Sequence, residues 1–430
     1  MQMLSDFLES NFPSTRARAG LADRGSYLAT LPDIEIATTP MLKTAIDTLC
    51  FAHIGAKTGD RRLVQRSQTS YGQVLSSLIT AVNRRSGDIS YIEPRAVITS
   101  IMLLCLYDDS IPLPFQGENG WATHYWGCQQ LLGAHGPGFM RIDDPFDRML
   151  FNSLRMPCFF LGVAKRKSIA QGQPEWLQLS EDMDPTGGAF TGFYRVAMRM
   201  PAILERIDDV LEGHSSHNIV QKLCEEIQSF RLEMVQWHAG LVENSKNPHW
   251  ELPKVVDIAD LSSASTNAEH LYMRRSKTFT KIFEFGLPKK VVQNHTLCAM
   301  SCIVMDCSLL RLLHFIPGCA TYLLPDRLED IEQRAFSQAT ILCRSLYHYT
   351  SFDGLAYADF SEFINDIALN FFEEYGAVKE MQWCLGVRAA TTVRRQRIKE
   401  NVQPRTLCRM GDAGPGFAMA CRYRAPMLKS

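Results

Sequence analysis

The sequence lacks the short motifs that mark the common enzyme classes. No Gly-x-Ser-x-Gly turn, Gly-x-x-x-x-Gly-Lys phosphate loop, Gly-x-Gly-x-x-Gly fingerprint or His-Glu-x-x-His pair occurs in its 430 residues. Each of these motifs holds a nucleophile, a phosphate or a zinc ion in a fixed geometry. Their absence therefore leaves those chemistries without support from the sequence.

Closely spaced cysteine pairs are missing too, although the chain contains 13 cysteines. None of them has the Cys-x2-Cys spacing that structural zinc sites use, and the first, Cys50, lies in a predicted apolar helix. Residues 1–6 lack the basic start and apolar core of a secretory signal. We therefore expect reduced thiols in a protein of the cytosol or nucleus.

A net excess of charge is absent as well. The formal charge is −1, which gives the whole chain no strong attraction to nucleic acid or to an anionic membrane. The balance is uneven, because residues 388–430 contain ten Lys or Arg against Glu400 and Asp412. The sequence thus predicts a basic end on a slightly acidic body.

No apolar run reaches the length that we expect of a membrane-spanning helix. The longest, residues 96–107, is bounded by Arg95 and Asp108 and fits a buried helix. Apolar residues make up 46% of the chain and charged residues 21%, as in an ordinary folded protein. We expect a protein that does not enter a membrane.

Alternating patterns typical of β-strands are nearly absent, and helical periodicity takes their place. The segments 41–56 and 61–84 each carry apolar residues at i, i+3, i+4 and i+7. Gly59 suits a helix C-terminus and Asp60 the next N-cap, so these two helices fold back on each other. The sequence therefore predicts an all-α fold of stacked antiparallel helical hairpins.

The predicted domain organisation follows the turn-rich stretches. Further helices are predicted at about 92–107, 121–134, 146–168, 194–212, 217–243, 266–285, 289–316, 326–349 and 360–385. The predicted parts are a flexible N-terminus (1–25), an N-terminal helical lobe (26–243), a linker (244–265), a C-terminal helical lobe (266–387) and a basic, flexible tail (388–430).

Three phrases in the first part of the chain stand out. They are Leu31-Pro32 with residues 40–45, Ala52-His53-Ile54-Gly55 and Tyr71; residues 121–128 with Gly133-Ala134-His135-Gly136-Pro137; and residues 151–155 with Lys165-Arg166-Lys167 and Pro174-Glu175-Trp176. Together and in this order they resemble the regulatory (middle homology) region of the fungal binuclear zinc-cluster transcription factors. The resemblance implies a helical region that senses effectors and binds partners in the nucleus.

The sequence departs from that family in two respects. The six cysteines of the family's zinc cluster, with their Cys-x2-Cys pairs, do not occur here. Pro157 lies within the predicted helix 146–168, where a proline should kink or break the helix.

The densest group of polar and aromatic side chains follows residue 120. The candidates for acid–base catalysis are His124, Tyr125 and Asp147. The candidates for a ligand pocket are Trp121, His124, Trp126 and His135. The alternative is packing, in which Asp144 caps a helix that begins at Pro145. We favour packing, because a histidine near carboxylates is common without chemistry.

Two further clusters invite a functional interpretation. Cys298 and Cys302 share a helix face near His295, but a closed zinc site needs four ligands, so we predict no metal and no cofactor. The basic run Arg394, Arg395, Arg397 and Lys399 is either a nuclear-import or DNA-backbone segment or a solvated charged end.

Two classes of function remain. The first is a transcriptional regulator or co-regulator of a metabolic or secondary-metabolite pathway, in the nucleus. It would act without its own zinc cluster, through a DNA-binding factor or as a homodimer or heterodimer, and a small molecule could be its effector. The second is a cyclase-like or isomerase-like enzyme of natural-product biosynthesis on the same scaffold, with the cytoplasm as the alternative location. A zinc cluster encoded upstream of Met1 is a third explanation.

Overall fold

The computed structural model describes residues 31, 39–83, 93–110, 120–184, 189–213, 217–243, 254–260, 267–284, 289–316, 327–350 and 355–401. The predicted N-terminal segment 1–25 and the chain after residue 401 lie outside these residues. Within them, helices account for nearly all regular structure, so the predicted all-α class is confirmed.

The helices of the first part of the described chain are α1 (Pro40–Thr58), α2 (Arg61–Asn83), α3 (Pro94–Ser110), α4 (Gly120–His135), α5 (Pro145–Lys165) and α6 (Pro174–Met183). Those that follow are α7 (Ala189–Ala197), α8 (Met200–Leu211), α9 (His217–Glu243), α10 (Ala268–Arg275), α11 (Lys289–Phe315), α12 (Leu328–Thr350), α13 (Leu355–Tyr375) and α14 (Val378–Asn401).

A small two-stranded antiparallel sheet accompanies the helices. Its strands are β1 (Lys254–Asp257) and β2 (Lys281–Glu284), with Val255 opposite Phe283. No sequence pattern predicted these strands, because four residues are too few to show a period-two pattern. The first strand falls in the stretch that we predicted as a linker.

The turn between α1 and α2 forms as its residues predict. Gly59 adopts a left-handed φ of 71° at the C-terminus of α1, a conformation that costs glycine little. The Asp60 carboxylate accepts a hydrogen bond from the backbone N–H of Arg62 at 2.8 Å. A Cβ atom at Gly55 would lie 2.9 Å from Val64. The antiparallel pair is therefore closely packed near its turn.

The described residues fall into two compact units. The first contains those up to Leu161, together with Gln173–Met183 and residues 399–401. The second contains residues 162–172 and 184–398, so the boundary lies inside α5 and not near the predicted linker.

The core of the first unit is built on α3. Every residue of this helix from Pro94 to Tyr107 is buried, as the apolar run predicted. Helix α5 continues through Pro157 instead of breaking there. The apolar residues that follow it, Phe159 and Phe160, are fully enclosed. Packing on this scale compensates for the one backbone hydrogen bond that a proline removes.

The core of the second unit is built on α11. Residues 293–315 form a helix that is long and apolar enough to cross a membrane, which corrects our prediction that no segment reaches that length. This stretch is 78% buried within the protein, as expected for a central core helix. Helices α9 and α12 pack against it.

The last helix continues to Asn401, past the boundary predicted at residue 387. Two ion pairs join it to α13 and α10: Arg388 with Asp366 at 2.6 Å, and Arg394 with Glu269 at 3.3 Å. Arginine is a good helix former, and the two ion pairs neutralise Arg388 and Arg394 where α14 packs against its neighbours.

Candidate functional site

His124 connects three helices of the first unit. Its Nε2 atom lies 3.1 Å from a carboxylate oxygen of Asp108 on α3 and 3.0 Å from the hydroxyl of Tyr71 on α2. The side chains of His124 and Asp108 are 13% and 5% exposed. The histidine is therefore largely enclosed and joins α4 to both neighbouring helices.

Two further side chains complete this polar cluster. The ring of Tyr107 stacks on that of Tyr71 with centroids 4.9 Å apart, and its hydroxyl lies 3.2 Å from the hydroxyl of Ser67. Burial raises the pKa of the Tyr107 hydroxyl, and the nearby Asp108 raises it further. We call the five residues Ser67, Tyr71, Tyr107, Asp108 and His124 the interhelix cluster.

The geometry of the interhelix cluster favours a structural role for His124, in which it joins three helices, over a catalytic role. Both partners of His124 approach the same ring nitrogen, Nε2, which shares a hydrogen bond with the Tyr71 hydroxyl and lies within ion-pair distance of the Asp108 carboxylate. A catalytic base needs its reactive nitrogen within reach of a substrate, and Nε2 of His124 faces side chains of two neighbouring helices. The arrangement fixes the ring and the three helices around it.

Asp147 has other partners than His124. Its carboxylate lies 3.3 Å from the guanidinium of Arg95 and accepts the backbone N–H of Arg141 at 2.7 Å. It is fully buried, and burial raises its pKa. The neighbouring Asp144 caps α5, because it accepts the backbone N–H of Phe146 at 2.9 Å. The packing alternative thus describes both carboxylates.

The remaining predicted residues lie in different surroundings. Tyr125 is fully buried, Trp126 is half-buried, and His135 is exposed with its ring edge-on to Phe139. The side chain of Trp121 lies outside the described residues. The contacts of these residues give no evidence of a common ligand pocket.

The cysteines of α11 are packed in the core. Cys298 and Cys302 are buried, and Nδ1 of His295 lies 3.0 Å from Nε2 of His238 on α9. Burial lowers the pKa of His295 to about 4, which keeps this imidazole neutral. Among the described residues, no three His, Cys, Asp or Glu side chains are placed to hold a metal ion.

The basic run begins with a residue that is not available to DNA. Arg394 is buried and pairs with the fully buried carboxylate of Glu269 on α10, a structural role that differs from the nuclear-import or DNA-backbone role predicted for it. The physical reason is that an unpaired carboxylate inside the protein is costly, so Glu269 draws the guanidinium inward. The side chains of Arg395, Arg397 and Lys399 lie outside the described residues.

The second unit contains buried charges that no sequence pattern indicated. Asp306 on α11 lies 3.2 Å from Arg231 on α9 and 3.5 Å from Arg334 on α12. Burial raises its pKa to about 6, although both guanidinium groups lower it. Burial likewise raises the pKa of Glu374 on α13, to about 7, although the nearby Arg311 lowers it. Their partners are distant in sequence, so only the three-dimensional structure shows them.

Comparison with known proteins gives a family match for one part of the chain. A search of curated proteins and a search of solved structures each found no match. Residues 28–182 match the family model described as the fungal specific transcription factor domain. The match ends at α6 and so covers the six helices around the interhelix cluster. Residues 28–182 therefore form a fungal specific transcription factor domain, as the three sequence phrases predicted.

Proposed function

We propose that this chain is a transcriptional regulator or co-regulator that acts through a DNA-binding partner protein. The observation that carries the proposal is the match of residues 28–182 to the fungal specific transcription factor domain. That segment contains α1 to α6, most of whose residues belong to the first unit. The nucleus is the location that such a role requires.

The charges and cysteines of these residues support the proposed partner. Sequence-specific DNA recognition requires contacts to base edges, whereas basic residues alone hold the phosphate backbone. These 430 residues contain no Cys-x2-Cys pair and carry a net charge of −1. One member of the basic run, Arg394, forms an ion pair with Glu269. A partner factor is therefore the proposed source of sequence recognition.

The interhelix cluster supports a scaffolding role for the domain. His124, Tyr71 and Asp108 hold three helices in one arrangement. A fixed helical body presents a constant surface to partner proteins. Regulation of a metabolic pathway, secondary metabolism included, and response to a small-molecule effector are parts of the proposal that rest on the family resemblance.

A tethering experiment tests the regulatory role directly. The full chain, fused to an unrelated DNA-binding module, should change expression of a reporter that carries the module's site by at least severalfold. The variant Leu103→Asp should lose this effect, because Leu103 is 1% exposed in the core of the first unit. The matched control Gln73→Asp places the same residue on the exposed face of α2 and should keep it. Protein levels are compared by immunoblot.

Two results would overturn the proposal. One is a reporter that the wild-type fusion leaves unchanged. The other is a deletion strain that keeps its transcript profile while a biosynthetic intermediate accumulates. The second result would favour the enzyme alternative.

A further inference from the structure

Two thiols of the second unit are in contact without being bonded. Cys343 on α12 and Cys384 on α14 place their sulfur atoms 3.8 Å apart. Both are free thiols with at most 1% of the residue exposed. A disulfide brings its sulfurs to about 2.05 Å, so a movement of roughly 2 Å separates contact from a bond.

The surroundings hold the two helices in place at this point. The side-chain amide of Asn365 on α13 donates to the backbone oxygen of Cys384 at 3.0 Å. The preceding Trp383 is buried and packs edge-on to Phe279, with ring centroids 4.8 Å apart. Because the backbone is anchored, the approach of the two sulfurs falls mainly to rotation of the cysteine side chains.

Metal binding does not account for the pair. Within the described part of the chain, no third His, Cys, Asp or Glu joins the two thiols in an arrangement that holds a metal ion. Two neighbouring thiols without further ligands have one characteristic reaction, which is their joint oxidation to a disulfide.

We propose that Cys343 and Cys384 form a modification site, at which a small neutral peroxide converts the dithiol to a disulfide that joins α12 to α14. One sulfur attacks a peroxide oxygen, the O–O bond breaks, and a sulfenic acid and water form. The second sulfur then displaces the hydroxyl of the sulfenic acid, which leaves as a second water. The two sulfurs lose two electrons and two protons, and one molecule of hydrogen peroxide takes up both.

Burial determines which oxidant can react and how fast. Burial raises the pKa of the Cys343 thiol well above its usual value, so the nucleophilic thiolate is scarce while the core is closed. Hydrogen peroxide is small and uncharged and can enter such a core, whereas oxidised glutathione is large and charged. The site therefore responds slowly, to sustained exposure to peroxide.

The test uses the purified full chain, freed of reductant and exposed to hydrogen peroxide or, in a second arm, to oxidised glutathione. After peroxide, mass spectrometry of a non-reducing digest should find the Cys343 peptide linked to the Cys384 peptide. The bond closes a loop between residues 41 positions apart, so the Tm should rise by about 5 °C. The glutathione arm should leave both cysteines unmodified.

Matched variants separate this bond from other oxidation. Cys384→Ala should abolish the linked peptide and the rise in Tm, while Cys50→Ala, a buried cysteine of α1, should keep both. The proposal is overturned if wild-type Cys343 and Cys384 stay reduced after peroxide or become singly oxidised. It is likewise overturned by a glutathione adduct at either residue, or by a rise in Tm that survives in Cys384→Ala.

Discussion

At the scale of single residues, the contacts of His124 can be tested by a conservative substitution of Asp108. Asp108→Asn keeps the shape of the side chain but removes the charge that strengthens its contact with the imidazole. We expect the free energy of unfolding to fall by about 1–2 kcal/mol, measured by chemical denaturation. Asp182→Asn, on the exposed end of α6, should change it by less than about 0.5 kcal/mol. Equal effects of the two variants would mean that the cluster contributes nothing to stability.

Arg394 allows a sharper distinction between stability and nucleic-acid binding. Arg394→Ala leaves the fully buried Glu269 carboxylate without its partner, so we expect a loss of about 3–5 kcal/mol in unfolding free energy. The double variant Arg394→Met with Glu269→Gln removes both charges and should recover much of that loss. Arg275→Ala, an exposed arginine of α10, is the control and should have little effect.

The opposite outcome for Arg394 would support the import or DNA interpretation. If Arg394→Ala unfolds like the wild type but reduces nuclear accumulation, the buried pair is not the reason that this residue is present. Fluorescence microscopy of tagged full-length variants measures the accumulation.

At the scale of helices, Glu374 at the end of α13 predicts that the stability of the protein depends on pH. Burial raises the pKa of Glu374 from 4.5 to about 7, while the nearby Arg311 lowers it. The folded state therefore holds its proton more tightly than the unfolded state, and the contribution of Glu374 to stability declines as pH rises from about 4.5 to about 7. Glu374→Gln should remove this decline and make the protein more stable than the wild type at pH 8, by on the order of 1 kcal/mol after allowance for solvent screening.

Denaturation curves at pH 5 and pH 8 measure the effect. At pH 5 the two proteins should differ little, because the wild-type carboxyl group is then protonated and neutral. Glu225→Gln, on the exposed face of α9, is the control and should not alter the dependence on pH. A wild-type advantage at pH 8 would show that Glu374 is stabilised by its charge.

The same scale shows what the sequence could and could not predict. Most helix positions followed from apolar periodicity, and the α1–α2 turn followed from Gly59 and Asp60, because both signals are local. The single helices predicted at 266–285 and 360–385 were wrong, because α10 ends at Arg275 ahead of β2, and α13 and α14 are separate helices. The partners of Asp147 and Arg394 lie 52 and 125 positions away, and no local pattern specifies contacts over such separations. Arg394 lies in the part of α14 that continues past residue 387. Of the interhelix cluster, only His124 was a predicted site residue.

At the scale of the whole molecule, the near-neutral charge predicts weak binding to DNA. Attraction to phosphates drives non-specific binding and requires an excess of Lys and Arg. With a net charge of −1, the purified chain should bind random duplex DNA with a Kd weaker than about 10 μM at physiological salt. Fluorescence anisotropy measures this value, with a basic DNA-binding protein as the positive control. Nanomolar binding of one preferred sequence by the chain alone would remove the need for a partner factor.

The burial of α11 has a consequence for the synthesis of the protein. Residues 293–315 leave the ribosome before α12 and α13, two of the helices that cover them, have been made. For that interval a stretch as apolar as a membrane anchor is open to the translation machinery and to chaperones that bind exposed hydrophobic segments. Production of soluble protein should therefore depend on chaperone supply and on the speed of translation through α12.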